Sequence, residues 1–354
     1  MKTESAQDNA AVESAWLETF VPRRFLRNGH VQTLAGNFLP RKHPALPPAE
    51  ARLIEVEPAS GSTPASHVLC HCHWQPVAVR AARPTLILLH GLEGSSESQY
   101  VVGNSARAWA AGCNVVRMNM RNCGGTEELS PTLYHSGFSG DVRIVMETFA
   151  REYGLEHVAL AGYSMGGNLV LKLAGELGDA APAYLKAVVG VSPAMDLAAS
   201  ADALHEPQNR VYEWKFLRGL LRRYRRKVVL YPQIYNLTSL RGVKTLRQFD
   251  DRITAVYSGF TGADDYYARS SSARLAAQIR VPALILHALD DPFVRMLPPT
   301  RAALLANPHV TLVETEHGGH CAFLGPVGDA KVDWQNDGYW AEQMLLRFIL
   351  RSGS

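Results

Sequence analysis

The run His157-Val-Ala-Leu-Ala-Gly-Tyr-Ser-Met-Gly-Gly-Asn-Leu-Val-Leu-Lys-Leu-Ala174 decides the fold. It starts as a short apolar stretch, passes through Gly162-Tyr163-Ser164-Met165-Gly166, and continues at once in good helix formers. A strand that empties through so tight a turn into a helix needs small residues two places either side of the central one, and Gly162 and Gly166 supply them. Ser164 is then expected in a strained conformation, its hydroxyl at a helix N-terminus where the dipole favours developing negative charge. Glycine and serine are common in loops, so the five residues alone discriminate poorly. The strand before them and the helix after them make the pattern that of a nucleophilic serine rather than of a serine that merely caps a helix.

Outward from this run the chain alternates. Apolar runs at Arg52–Glu57, His67–Trp74, Thr85–His90, Asn114–Asn119, His157–Ala161, Ala187–Val191, Ala283–His287 and Val310–Glu314 read as strands. Several are unbroken aliphatic runs, the composition of strands covered on both faces. Helix-length stretches at about 99–111, 140–153, 165–178 and 333–351 separate them, which predicts a mostly parallel eight-stranded sheet wound with helices on both sides. Residues 1–14 read as a disordered tail and 15–354 as a single domain. The alternation breaks at about 197–280, where helical, aromatic-rich sequence suggests an inserted lid over the strand C-termini. Within it Arg210–Lys227 holds eight Lys or Arg and one Glu, a net +7 where the rest of the chain sums to −4. Trp214, Leu217, Leu221 and Tyr224 recur at helical spacing, so the plain expectation is a helix with that stripe packed down and its arginines solvated. The sharper one is peripheral contact with anionic lipid or a phosphate-bearing substrate, with Arg222, Arg223, Arg225 and Arg226 as the contacts.

Three further segments carry chemistry. Thr85-Leu-Ile-Leu-Leu-His-Gly-Leu-Glu-Gly-Ser-Ser96 is a buried strand running into a glycine-containing loop, with Gly91 at its bend. Such a loop can offer the Leu92 N–H as an oxyanion donor beside the Met165 N–H that follows the serine. His90 reads as a loop residue rather than the base. In Glu314-Thr-Glu-His-Gly-Gly-His-Cys-Ala-Phe323 the base candidate is His320, which follows two glycines, with His317 as competitor. In Val281-Pro-Ala-Leu-Ile-Leu-His-Ala-Leu-Asp-Asp-Pro-Phe-Val294 a strand ends in two aspartates; Asp291 is the acid candidate, Asp290 a loop hydrogen-bonder, and Asp196 a third option. The resulting order is Ser, Asp, His.

Composition limits the alternatives. The 354 residues are 47% hydrophobic and 19% charged with a net charge of +3, ample for a large core and without a global signal for nucleic acid. Five cysteines without regular spacing argue against a disulfide framework and for a reducing, cytoplasmic setting, and no signal peptide or membrane span is expected. Cys70-His71-Cys72-His73 invites a metal reading, but on a strand its cysteines and histidines face opposite ways, so no metal or cofactor is expected.

With these residues in hand, the chain resembles the YheT-like branch of the α/β-hydrolase family. The likeness rests on Asn28-Gly-His-Val-Gln-Thr-Leu34, His90-Gly-Leu-Glu-Gly94, Asn119-Met-Arg-Asn-Cys-Gly-Gly125, Leu133-Tyr-His-Ser-Gly137, Gly162-Tyr-Ser-Met-Gly-Gly-Asn168, Phe249-Asp250, Gly259-Phe260, Tyr266-Tyr267, His287-Ala-Leu-Asp-Asp-Pro-Phe293 and Gly318-Gly-His320. It implies an α/β-hydrolase fold with a triad of Ser164, Asp291 and His320, and a carboxylesterase-like action on a small-molecule or lipid ester of short to medium acyl chain. An acyltransferase using the same triad, or a ligand-binding protein that kept the fold without turnover, are the alternatives.

Overall fold

The computed structural model describes residues 16–39, 41, 43–328 and 337–352, so the expected tail at 1–14 lies outside the described residues. Eight strands form one sheet: β1 (Glu50–Glu57), β2 (Ser66–His73), β3 (Thr85–Leu89), β4 (Asn114–Met118), β5 (Val158–Tyr163), β6 (Leu185–Val191), β7 (Ala283–Ala288) and β8 (Val310–Thr315). Their order is β1-β2-β4-β3-β5-β6-β7-β8. The β1–β2 and β2–β4 pairs are antiparallel, and β4-β3-β5-β6-β7-β8 run parallel. Each predicted strand appears, with ends moved by one or two residues.

The sheet divides two apolar cores because successive side chains on a strand point to opposite faces. Ile87 and Leu89 of β3 and Leu160 of β5 face one core, against α3 (Ser139–Tyr153) and α4 (Met165–Leu177). Leu86, Leu88, Ala159 and Ala161 face the other, against α2 (Gln99–Ala110) and α9 (Trp340–Ser352). The last helix thus starts at Trp340, later than the periodicity suggested; of the earlier stretch, 333–336 lie outside the described residues. Trp16 and Phe20 pack on α9, and Glu18 O accepts the Trp340 indole N–H at 3.0 Å. Cys70 and Cys72 are buried in the first core while His71 reaches Glu97 and Ser96 on the other face, as strand alternation requires; His73 is buried as well.

Between β6 and β7 the chain makes α5 (Leu197–Leu204), α6 (Arg210–Leu230), α7 (Ala263–Ser270) and several single turns. Helix α6 departs from the expected stripe. Leu217, Leu220 and Tyr224 are buried, but Trp214 is 60% exposed. Nor are all its cations solvated. Arg223 is buried against Glu93 and Glu127, and Lys227 is fully buried, donating to Asn122 Oδ1 at 3.0 Å and to the carbonyls of Glu127 and Ser130. Burial pulls the Lys227 ammonium down to about 7. These bonds fasten α6 to the loop after β4. Among the described residues no helix is long and apolar enough to cross a membrane.

The strand ends converge on Ser164. A methyl group at Gly162 would collide with the Gly166 main chain, and one at Gly166 would sit 2.5 Å from His90 O. Gly162→Ala is therefore expected to cost about 1–3 kcal/mol of stability, the range for overpacking a close-packed interior. A lowered urea midpoint with an unchanged slope would register it; an unchanged midpoint would mean that the turn is not under this steric limit.

Candidate active site

Ser164 stands where β5 gives way to α4, with φ 55° and ψ −116°. A non-glycine residue holds such a conformation only when its surroundings over-determine it. Here the Ser164 N–H donates to Val191 O at 2.9 Å, and Ser164 O accepts from Asn168 N at 3.0 Å and Ala194 N at 3.2 Å. The end of β6, the loop that follows it and the first turn of α4 thereby pin the serine at the head of α4.

The acid and base candidates follow β7 and β8. His320 Nδ1 donates to Asp291 Oδ2 at 2.8 Å, while Asp291 Oδ1 accepts from Phe293 N at 3.1 Å and Val294 N at 2.9 Å. Asp291 is 2% exposed, so the carboxylate depends wholly on these donors. Burial would raise its pKa, but the His320 charge and the three N–H donors hold it below the usual carboxylate range. Burial likewise disfavours the His320 imidazolium; the sulfur of Cys321 and the Asp291 carboxylate outweigh that and raise its pKa. The other ring nitrogen, Nε2, lies 3.5 Å from Cys321 Sγ. The competing candidates lie elsewhere. His317 faces Asp290 at 3.6 Å, Asp290 Oδ1 accepts the Gly319 N–H at 2.8 Å, and Asp196 accepts Leu297 N and Thr300 Oγ1 at the start of α8 (Pro298–Leu305).

The loop after β3 and the head of α4 each present one backbone donor. Among the described residues neither the Leu92 N–H nor the Met165 N–H has a hydrogen-bond partner, and both residues line one cavity with Ser164. The Gly91–Leu92 peptide is held from its carbonyl side. His90 Nε2 accepts the Met120 N–H at 3.2 Å, so its proton sits on Nδ1 and donates to Gly91 O at 2.7 Å. Gly94 N also donates to Gly91 O, at 3.0 Å. In a planar trans peptide, holding the carbonyl one way aims the N–H the other. His90 is thus a positioning residue, a part the sequence reading did not assign it. Burial lowers its pKa to about 4, which keeps this tautomer neutral.

Reading the sequence also missed the work of its N-terminal motif. Asn28 caps α1 (Gly29–Phe38), accepting from His30 N and Val31 N. Thr33 Oγ1 accepts the His320 N–H at 2.8 Å and donates to Gly29 O at 2.7 Å. Gln32 accepts Leu324 N at 2.9 Å and donates to Leu324 O at 3.2 Å. A methyl at Gly29 would strike Asp290 O, so glycine lets α1 press against the loop that carries the acid. The helix clamps both sides of the imidazole's loop from nearly 300 residues away. Asn168 has a similar function at the elbow: Nδ2 donates to Ser136 O and Ser270 O, both at 2.9 Å, and Oδ1 accepts Ser272 N at 2.8 Å.

Two spaces meet at Ser164. One is a narrow slot of about 90 Å³ walled by Met165, Leu197, Leu204, Phe216, Leu220 and Leu246. Its lining also includes Asp250, which accepts from Tyr267 OH at 2.7 Å and Thr254 Oγ1 at 2.7 Å, and burial raises the Asp250 carboxyl to about 6. The other is an open cleft of about 610 Å³ that reaches both Ser164 and His320. A substrate with a slim apolar arm and a bulkier second part would straddle the hydroxyl.

A family model described as the alpha/beta hydrolase fold matches residues 84–326. YheT of Escherichia coli is 33% identical over 311 residues, 86% of this chain and 87% of that protein. The phospholipase ABHD3 of Homo sapiens is 26% identical over 336 residues, 94% of this chain and 78% of that protein. Among solved structures, the Pyrococcus furiosus esterase Pf2001 shares the fold at a TM-score of 0.51 and 15% identity, over 89% of this chain and 97% of that one.

The geometry separates two histidines by titration. In an NMR titration the His320 ring should change charge above the ordinary histidine value of about 6.5, and Asp291→Asn should lower that midpoint. His90 should stay neutral down to about pH 5, one unit above its pKa of about 4. A His320 midpoint below the ordinary value would contradict the carboxylate's electrostatic hold.

Proposed function

The chain belongs to the YheT-like branch of the α/β-hydrolase family, and from that membership we propose that it is a serine hydrolase of carboxylic esters, acting through an acyl-enzyme. One observation carries the reading: His320, hydrogen-bonded to the buried Asp291, lines the same cleft as a serine held at φ 55°. A structural ion pair has no need of a strained serine beside it.

In the proposed mechanism Ser164 Oγ attacks the ester carbonyl as His320 Nε2 takes its proton. Asp291 fixes the proton of the neutral ring on Nδ1 and stabilises the imidazolium that forms. The Leu92 and Met165 N–H groups receive the oxyanion, each such donor being worth about 3–4 kcal/mol. His320 then protonates the departing alcohol, and water activated by the same ring attacks the acyl-enzyme, releasing the acid and the serine. Side chains and backbone supply every role, so the chemistry asks for no cofactor.

The slot suits the acyl chain. Its apolar walls reward each buried CH₂ by about 0.8 kcal/mol, close to fourfold in kcat/KM. Its small volume favours short to medium chains. The cleft suits the alcohol portion, since it communicates with solvent. The name phospholipase borne by ABHD3 supports a lipid ester as substrate class.

Hydrolysis of p-nitrophenyl esters of increasing chain length tests the reading: kcat/KM should climb with each CH₂ and then fall sharply once the slot is full. Leu220→Trp should move the optimum to shorter chains. A flat profile insensitive to that change would oppose the acyl assignment, and no turnover of any ester would oppose the function. With the preferred ester, Asp291→Asn should lower kcat by about 10⁴-fold. The base must be deprotonated to act, so kcat/KM should rise with pH through a pKa above the ordinary histidine value. His90→Phe should lower kcat by up to about 10²-fold with little change in KM, through a misaimed Leu92 N–H. An unaltered kcat would deny His90 its positioning role.

A further inference from the structure

We propose that the mouth of the cleft is a docking surface for an anionic lipid membrane, built by α1 and the N-terminal half of α6; the idea rests on the ester-hydrolase reading for its purpose, not for its test. Helices α1 and α6 meet there, His30 stacking on Tyr212 with ring centroids 5.8 Å apart. From them Phe38 (72% exposed), Val211 (71%) and Trp214 (60%) project into solvent around an opening that leads inward to Ser164 and His320. An apolar rim at a site entrance marks an interaction surface rather than scattered exposure.

The charge at this rim fixes the kind of partner. The acids that line the cleft are already engaged: Glu93 by Arg223 and Tyr134, Glu342 by Arg41 and Arg107. In the C-terminal half of α6, Arg223, Arg226 and Lys227 turn to Glu93, Glu127, Glu128 and loop carbonyls. Lys215, Arg218 and Arg222 line the cleft mouth, and among the described residues none of the three has a carboxylate within ion-pair distance. These cations alternate with the apolar side chains: Lys215 lies 5.8 Å from the Phe38 ring and Arg218 5.2 Å from that of Trp214. They spread over about 10 Å of helix, at 1.5 Å per residue, instead of closing on one point as a phosphate cradle would. Rings that can sink to the headgroup level, flanked by unneutralised cations, match an anionic bilayer surface. Docked this way, the enzyme would draw its ester from the membrane directly into the cleft. The sequence reading had assigned lipid contact to Arg222, Arg223, Arg225 and Arg226; of these, Arg223 is buried and the exposed Arg226 is paired with Glu127 and Glu128, and Lys215 and Arg218 take their place.

Co-sedimentation of the full chain with phosphatidylcholine vesicles, with and without phosphatidylglycerol, tests this. The wild type should sediment with the anionic vesicles, much less with the neutral ones, and be released by high salt. Lys215→Glu with Arg218→Glu should weaken binding at least about tenfold, at about 1 kcal/mol per basic residue near the surface. Phe38→Ser with Trp214→Ser should weaken it as well, and Arg274→Glu, a charge reversal outside the rim, should not. Ser164→Ala should bind as the wild type does, which separates docking from catalysis: loss of ester turnover leaves the sedimentation result standing, and turnover without vesicle binding defeats docking alone. Failure of the wild type to bind anionic vesicles, or equal binding by the charge-reversed variant, overturns the proposal. So does a concentration-dependent dimer that Trp214→Ser disperses in the absence of vesicle binding, which would make a second copy the occupant.

Discussion

Main chain meets main chain at the elbow, and this contact governs everything around the site. The backbone of Gly166 lies against the last residues of β3, and that of Gly162 against Gly166 itself, at distances that leave no room for a side chain. Three strand ends can therefore converge on one residue: β5 delivers Ser164, the last residue of β6 accepts its N–H through Val191 O, and the turn after β3 brings Gly91 against its Cβ. The strain at Ser164 is the cost of that convergence, and the surrounding hydrogen bonds offset it. With the serine fixed, the Leu92 and Met165 N–H groups have fixed positions too.

The polar groups extend this order outward in layers. Asp291 is buried and saturated by N–H donors, so it holds the imidazole in one tautomer and raises its pKa. The loop that carries His320 is in turn held by Thr33 and Gln32, and the donor loop by His90 and Tyr100, whose hydroxyl accepts the Gly91 N–H at 2.8 Å. Preorganisation of this sort matters because donors that already point at the developing charge need no reorganisation when it appears. The insertion between β6 and β7 contributes differently. It walls the slot and, through α6, forms one side of the cleft, so it bears on which ester enters rather than on how the bond breaks.

What could be read in the sequence was what is local. The aliphatic run Leu86–Leu89 and the glycines around Ser164 are set by their immediate neighbours, and the strands and the elbow were legible from them. The clamp was not. Thr33 reaches His320 across 287 residues, and nothing in the run Asn28–Leu34 advertises a partner. His90 was set aside as a loop residue because a histidine's part depends on what its two nitrogens touch, here Met120 N and Gly91 O. Helix α6 shows a third kind of failure. Helical spacing placed Trp214 with Leu217 and Tyr224, yet the buried face runs through Glu213, Leu217, Leu220, Tyr224 and Lys227 and leaves the indole exposed. Arg223, expected in solvent, and Lys227 are buried because the loop after β4 folds back with Glu127 and a set of carbonyls to receive them.

The central claim is that Ser164 owes its reactivity to His320. The rate at which a fluorophosphonate modifies the protein at neutral pH, with the adduct located by peptide mass spectrometry, tests it most directly. The account predicts one adduct, on Ser164, and at least about 10³-fold slower modification in a folded His320→Ala variant, since members of such a unit fail together when one is removed. Modification of a different residue, or an undiminished rate at Ser164 without the imidazole, would contradict it.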